Sequence, residues 1–204
     1  MSLDDPNSAD ESPSPEELID RARAGDLESR DRLLAEHVPA LRGFVRLRLG
    51  KRLRSREESI DLVQSICGDA LTDLGGFDYR GPESFRKWLM QRAENKIRSR
   101  GRFWNRAKRA VGMEQGTGDV PLEEIRELAH AFTPSRDAVG REELERLEAA
   151  FDELSEDDRR VILLSRVVGL SHAAVAEEMG RTPLATRSLL SRALAKLAAR
   201  LEVE

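Results

Sequence analysis

Apolar residues recur at intervals of three and four from Leu18 to about Arg109, interrupted at Gly25, near Gly50, and across Gly75-Gly76 to Gly81-Pro82. That period belongs to amphipathic helices, and glycine and proline end them, so three or four helices in one domain are predicted. Between 111 and 140 the period is lost. Gly112, Gly116, Gly118, Pro121, Pro134 and Gly140 crowd this stretch, which reads as a linker with one short helix near Leu122 to Ala131. The period returns with Leu144, Leu147, Phe151 and Leu154, and Ser155 with Asp158 resembles a capping box opening a helix at about Glu156. The expected fold is all-α: an acidic disordered tail over 1–17, a small helical domain over 18–110, a flexible linker over 111–140 and a second small helical domain over 141–204.

Punctuation is densest in SHAAVAEEMGRTPLATRSLLSRALAKL, residues 171 to 197. Ser171 can cap one helix, Gly180 permits a left-handed turn, Thr182 can cap a second helix, and Pro183 suits its first position because no amide hydrogen is needed there. Thr186, Leu190, Ala193 and Leu197 follow at offsets of four, three and four and form the predicted buried stripe. A helix-turn-helix results, with Leu184, Arg187, Ser188, Ser191 and Arg192 on the opposite face, joined by Thr182 at its start. Arginine can bond guanine bidentately or neutralise phosphate, and Ser or Thr can reach base edges or backbone, so this face suits a major groove. A helical hairpin with a solvated basic face is the plainer alternative.

Two segments of the first domain carry chemistry. Residues 56 to 74 predict a helix with Ile60, Val63, Cys67, Ala70 or Leu71, and Leu74 on its apolar face, which leaves Asp61, Gln64, Ser65, Gly68 and Asp69 outward for a partner helix. In the next helix Ser84 is a candidate cap, and Phe85, Trp88, Leu89, Ala93 and Ile97 mark the core side. Arg86, Lys87, Arg92, Asn95, Lys96, Arg98 and Arg100 then lie at or near the surface, with Phe103 and Trp104 among further arginines. Aromatic rings within a cationic groove suit unstacked bases of single-stranded DNA. Equally, Trp88 can be core and the arginines a solubilising face.

Charge changes the picture through its distribution. The net charge of the 204 residues is -4, which by itself argues against a polyanion partner. Yet residues 80 to 109 hold eleven Lys or Arg against Glu83 and Glu94, a balance of +9, while residues 1 to 17 hold six acids and no base. Charged residues at 35% with aromatics at 4% favour helices over sheets. The single cysteine, Cys67, excludes an internal disulfide and is read as packing; no apolar signal core or membrane-length apolar run stands in the sequence, so a cytoplasmic protein is expected. No glycine-rich phosphate loop is present, and His37, His130 and His172 lie far apart without ligand spacing. No catalytic residue, metal site or cofactor is therefore expected, and the chain is not read as an enzyme.

In their order along the chain, these segments resemble the extracytoplasmic-function group of sigma-70 factors from about Glu16 to Leu201. SIDLVQSICGDAL is similar to region 2.2, whose Asp-x-x-Gln surface binds the beta-prime coiled coil of RNA polymerase core. That resemblance implies a core-binding role for Asp61 and Gln64, with Ser65 and Asp69 beside them. SFRKWLMQRAENKIRSR is similar to regions 2.3 and 2.4, which hold the melted minus-10 element, and Trp88, Leu89 and Asn95 match. The loop from Phe77 to Pro82 lies where family members capture a flipped minus-10 base. Residues Leu154 to Leu197 resemble region 4, which reads the minus-35 element, with Arg187, Ser188, Arg192 and Ala193 on its Lys-Ser-x-x-x-Arg-Ala pattern. Ser65, Ser99, Thr186 and Leu189 depart from the usual residues.

The implied function is promoter recognition, melting and transcription initiation with core polymerase, and the implied partners are core and promoter DNA; an anti-sigma factor stays open. The rival reading is a helix-turn-helix regulator acting on duplex DNA without core. A receiver domain would require alternating strands and helices with clustered acids, a pattern absent from residues 18 to 109.

Overall fold

A computed structural model describes residues 13–54, 59–108 and 138–201. Every regular element among the described residues is helical: α1 Pro15–Arg23, α2 Leu27–Arg54, α3 Ser59–Thr72, a 3-10 turn Leu74–Gly76, α4 Ser84–Lys108, α5 Ala138–Asp152, α6 Glu156–Ile162 running into a π turn Leu163–Val167, α7 His172–Met179 and α8 Pro183–Leu201. The first twelve residues of the acidic tail, and the short helix expected near 122 to 131, lie outside the described residues.

Helix α1 begins at Pro15, three residues before the expected domain start, because Ser14 and Glu17 close a capping box around a proline at its first position. Ser14 Oγ accepts from Glu17 N at 3.2 Å, and Glu17 Oε2 accepts from Ser14 N at 2.8 Å. The break expected near Gly50 is a kink within the helical run of α2. Gly50 adopts φ 64° and ψ 158°, a left-handed value that a side chain would oppose. The last expected linker residues, 138 to 140, are already helical.

In the N-terminal half, α1, α3 and α4 pack on α2, and α3 also meets α4. Ile19, Leu41, Val45, Leu62, Ile66 and Leu89 are fully buried there. The expected stripe of α3 is displaced by a fraction of a turn: Ile60 is exposed, and Leu62 and Ile66 take the core positions beside Val63 and Ala70. The apolar run Ile60, Leu62, Val63, Ile66, Cys67 offers two neighbouring stripes, and contact with α2 selects between them. In the C-terminal half α5, α6 and α7 pack on α8, and Phe151, Val161, Ile162 and Leu197 are buried. Helix α2 also meets α5 and the π turn, so the buried residues of both halves form one continuous cluster.

His37 of α2 is buried within this cluster. Its Nδ1 donates to the Leu33 carbonyl at 2.9 Å, and its ring meets Phe85 edge-on at 5.0 Å. Burial pushes its pKa below the ordinary value of 6.5, against the Leu33 carbonyl and Glu36, which favour the charged form. The unfolded chain therefore binds the proton more tightly than the fold does, and stability falls as pH drops below that value. We predict a thermal midpoint that declines between about pH 7.5 and about pH 5.5, a window above the carboxylate range. His37→Gln should flatten this slope; parallel slopes for the two proteins would exclude His37 as its source.

Candidate nucleic-acid interface

The geometry of the C-terminal half follows its punctuation. Ser171 Oγ accepts from Ala174 N at 3.3 Å and so caps α7. Gly180 ends that helix at φ 62° and ψ 36°, the left-handed cap position, while Arg181 N donates to Ala176 O at 2.9 Å in the pattern of a Schellman closure. Thr182 Oγ1 accepts from Ala185 N at 3.2 Å and caps α8. Along α8, Thr186, Leu190, Ala193 and Leu197 are buried as predicted. Thr186 departs from the usual aliphatic residue, and its hydroxyl is satisfied by donating to the Thr182 carbonyl at 3.0 Å. On the far side Thr182, Leu184, Arg187, Ser188, Ser191 and Arg192 are all exposed, and Leu184 is 73% accessible. Apolar exposure of that size on a face of arginine and serine is suited to a thymine methyl.

Asp158 ties the start of α6 to α8. It is 2% exposed, accepts from Lys196 Nζ at 2.6 Å and from Ser155 Oγ at 2.7 Å, and Ser155 Oγ accepts from Asp158 N at 3.2 Å. Only half of the expected capping box forms, because the carboxylate turns toward the hydroxyl and Lys196. Burial would raise the Asp158 pKa, but the bonds from Lys196 and Ser155 prevail and hold it below the ordinary range.

In the N-terminal half, Asp61 and Gln64 are exposed on α3 and Ser65 is half-buried, while Asp69 pairs with Lys96 of α4 at 2.5 Å. Two residues singled out for separate surfaces thus meet each other. Arg92 pairs with Asp73 at 2.5 Å and lies 4.3 Å from the centre of the Trp88 ring, a cation-π contact. Glu94 binds Arg98 at 2.8 Å and takes a two-pronged contact from Arg48 Nε and Nη2, both at 2.8 Å. Burial alone would raise the Glu94 pKa; the Arg48 and Arg98 contacts prevail and lower it. Asn95 and Arg98 are exposed, and Lys96 and Arg100 are half-buried. Ser84 does not cap α4: its hydroxyl donates to Gly81 O at 2.6 Å and accepts from Arg80 N at 3.1 Å, closing the preceding loop. Cys67 is half-buried, and burial raises its thiol pKa, which disfavours the reactive thiolate. The side chains of Phe103 and Trp104 lie outside the described residues.

The two halves meet at the start of α4. Arg86 Nη1 donates to the Val168 and Gly169 carbonyls at 3.2 and 3.1 Å, Lys87 pairs with Glu177 at 2.7 Å, and Glu83 accepts from Ser171 N at 2.9 Å and Ser171 Oγ at 3.1 Å. Arg48 also reaches Glu156 at 2.6 Å, and Arg46 pairs with Glu148. A cleft of about 330 Å³ opens beside these contacts, with Phe44, Met90 and Leu164 among its apolar lining and Arg98, Asn95 and Glu178 among its polar lining. Arg48, Glu83, Glu148, Glu156 and Glu177 were not legible as site residues, because their partners lie 46 to 108 positions away. Among the described residues no group of three His, Cys, Asp or Glu could hold a metal ion, and no helix is long and apolar enough to cross a membrane.

Comparison with known proteins agrees with this geometry. The family described as Sigma-70, region 4 matches residues 144–197, which span the helix-turn-helix and the helices that support it. The RNA polymerase sigma factor CnrH of Cupriavidus metallidurans is 29% identical over 193 residues, covering 92% of this chain and 94% of that protein. The ECF RNA polymerase sigma factor SigD of Mycobacterium tuberculosis is 28% identical over 181 residues, covering 88% and 80%. Among solved structures, CnrH in complex with the cytosolic domain of CnrY is similar at a TM-score of 0.57 and 26% identity, over 89% of this chain and 93% of that one.

Beside the apolar packing of α2 on α5 and the π turn, the exposed polar contacts between the halves, such as Lys87 with Glu177, contribute about 1 kcal/mol or less each and are weakened by salt. A double variant, Glu83→Lys with Glu177→Lys, removes the acceptor of Ser171 N and Oγ and places a like charge against Lys87. It should increase the radius of gyration measured by small-angle X-ray scattering. Wild-type protein should expand in the same direction at high salt, and unchanged scattering in both cases would show that apolar packing alone holds the halves together.

Proposed function

Because this chain is a sigma factor of the sigma-70 family, extracytoplasmic-function group, we propose a division of its surfaces in promoter recognition. Asp61, Gln64, Ser65 and Asp69 on α3 bind the beta-prime coiled coil of core polymerase. Arg86, Lys87, Arg92, Asn95, Lys96, Arg98 and Arg100 on α4 line the path of the displaced minus-10 strand, which the loop from Phe77 to Pro82 engages. Thr182, Leu184, Arg187, Ser188, Ser191 and Arg192 read the duplex minus-35 element. The observation that carries this reading is the α8 face: six residues selected for groove chemistry are all exposed, on a helix whose other side is buried and whose start is capped.

The sequence of steps follows from charge and cover. Arg86 and Lys87 are held by carbonyls and by Glu177 of the C-terminal half, so these contacts exchange for phosphate when DNA arrives. The α4 cations already paired with Asp69, Asp73 and Glu94 are pre-oriented and contribute a smaller net charge than their number implies. Opening of the promoter draws on binding energy, with no covalent step and no cofactor. The protein works in the cytoplasm, where core polymerase is. CnrH was solved with the cytosolic domain of CnrY, and we extend to this chain a protein partner of that anti-sigma kind.

Run-off transcription from a promoter library, with purified core polymerase and with or without this chain, tests the reading; specific transcripts that depend on the chain are expected. Arg187→Ala or Arg192→Ala should weaken upstream recognition by about 1 to 3 kcal/mol while core affinity is unchanged. Asp61→Ala with Gln64→Ala should lower core affinity and leave upstream duplex contact intact. Duplex binding without core binding or initiation would favour the independent regulator, and loss of both activities in either variant would indicate misfolding.

A further inference from the structure

The connection between the 3-10 turn and α4 is exposed yet held at both ends. Asp78, Arg80 and Pro82 face solvent. At the far end Ser84 bonds Gly81 and Arg80, and Gly81 takes φ 108°, a value that lets the chain turn into α4. At the near end Phe77 is buried, with its ring edge-on to Phe85 at 5.5 Å and tilted against Trp88 at 5.2 Å. Two backbone carbonyls stand at this end: that of Leu74, which accepts from Phe77 N at 3.1 Å and has a second lone pair, and that of Phe77.

One side chain from a distant helix answers both. Arg23, the last residue of α1, donates from Nε to Leu74 O at 3.3 Å and from Nη2 to Phe77 O. Its Nη1 pairs with Asp20 at 2.8 Å, which fixes the plane of the guanidinium, and its Cζ lies 5.9 Å from the centre of the Phe77 ring. Arg30 in turn donates to the Ala22 carbonyl at 2.8 Å and secures the end of α1 that carries Arg23. A planar fork can bond two carbonyls and lie against a ring together; a lysine ammonium cannot.

We propose that Arg23 is a positioning residue for promoter opening: its guanidinium holds the 77–82 loop in the shape that receives the displaced minus-10 strand. The inference rests on the proposed role of that loop. Arg23 touches no nucleic acid in this arrangement and acts through the loop backbone. A loop ordered before binding gives up less conformational entropy when the strand arrives, so its anchor shows in strand affinity and in the rate of opening.

The test uses full-length protein assembled with core polymerase, a forked DNA carrying a single-stranded minus-10 element, a duplex minus-35 fragment, and a promoter with 2-aminopurine in the minus-10 element to report melting. Arg23→Lys is expected to weaken forked-DNA binding by about tenfold, the loss of roughly one charge-assisted hydrogen bond. The fluorescence rise should slow to match, while holoenzyme assembly and duplex minus-35 binding stay as in wild type. Wild-type strand affinity and opening rate in Arg23→Lys would overturn the proposal, and so would a parallel loss of core, duplex and strand binding, which marks a purely structural residue. Should that variant fail to fold, Asp20→Asn decides: it removes an exposed carboxylate that orients Arg23, and unchanged strand binding there overturns the proposal as well. If wild-type holoenzyme itself fails to open promoters, the parent reading falls, an outcome distinct from any difference between variant and wild type.

Discussion

At the seam between the two halves, Arg48 divides one guanidinium between Glu94 of α4 and Glu156 of α6. Its half-buried setting makes the arrangement consequential. An arginine withdrawn from water must be matched by acceptors, and the two-pronged contact with Glu94 together with the reach to Glu156 supplies them. Its pKa is raised, chiefly by the Glu94 hydrogen bond against the cost of burial. The same group that orients a carboxylate on the basic helix therefore also reaches the C-terminal half, beside the apolar packing of α2 on α5.

Around that seam the polar contacts are selective about what they cover. Arg86, Lys87 and Glu83 at the start of α4 are engaged by the C-terminal half, whereas Asn95 and Arg98 further along remain exposed, as does the side of α8 that carries Leu184, Arg187, Ser188, Ser191 and Arg192. The basic helix is thus a graded surface. Its first turns are committed to protein, its middle is balanced by acids of α3 and the turn after it, and its exposed side keeps positive charge. The local field that a nucleic-acid strand meets depends on these pairings more than on the +9 balance of the segment.

Rigidity is distributed in the same way. Helix α8 rests on a buried stripe and on Asp158, whose carboxylate joins the start of α6 to the later turns of α8 through Ser155 and Lys196. The loop from Phe77 to Pro82 is secured by side chains on either side of it, Arg23 from α1 and Ser84 from α4, with Phe77 seated among Phe85 and Trp88. Both proposed contact surfaces are therefore shaped by groups outside the proposed contact residues, which hold those surfaces in place.

The all-helical class, the glycine breaks, the caps at Ser171 and Thr182, the left-handed Gly180 and the buried stripe of α8 were legible in the residues. Each depends on interactions within about four positions, where spacing and side-chain type decide the outcome. Ile60 and Ser84 were misjudged for a related reason: two apolar stripes lay side by side in α3, and a serine near a helix start can serve the loop as readily as the helix. Arg23, Arg48, Glu83 and Glu177 carried no local signal at all, since a charged residue on a helix surface has the same neighbours in sequence whether it faces water or a carbonyl far along the chain. Only the packing of α1, α3 and α4 on α2, and of α2 against the C-terminal half, brought those partners within hydrogen-bond distance. The sequence by itself determined which helices form and what chemistry their faces offer; the tertiary structure decided which of those charges are paired, which are covered, and which remain exposed.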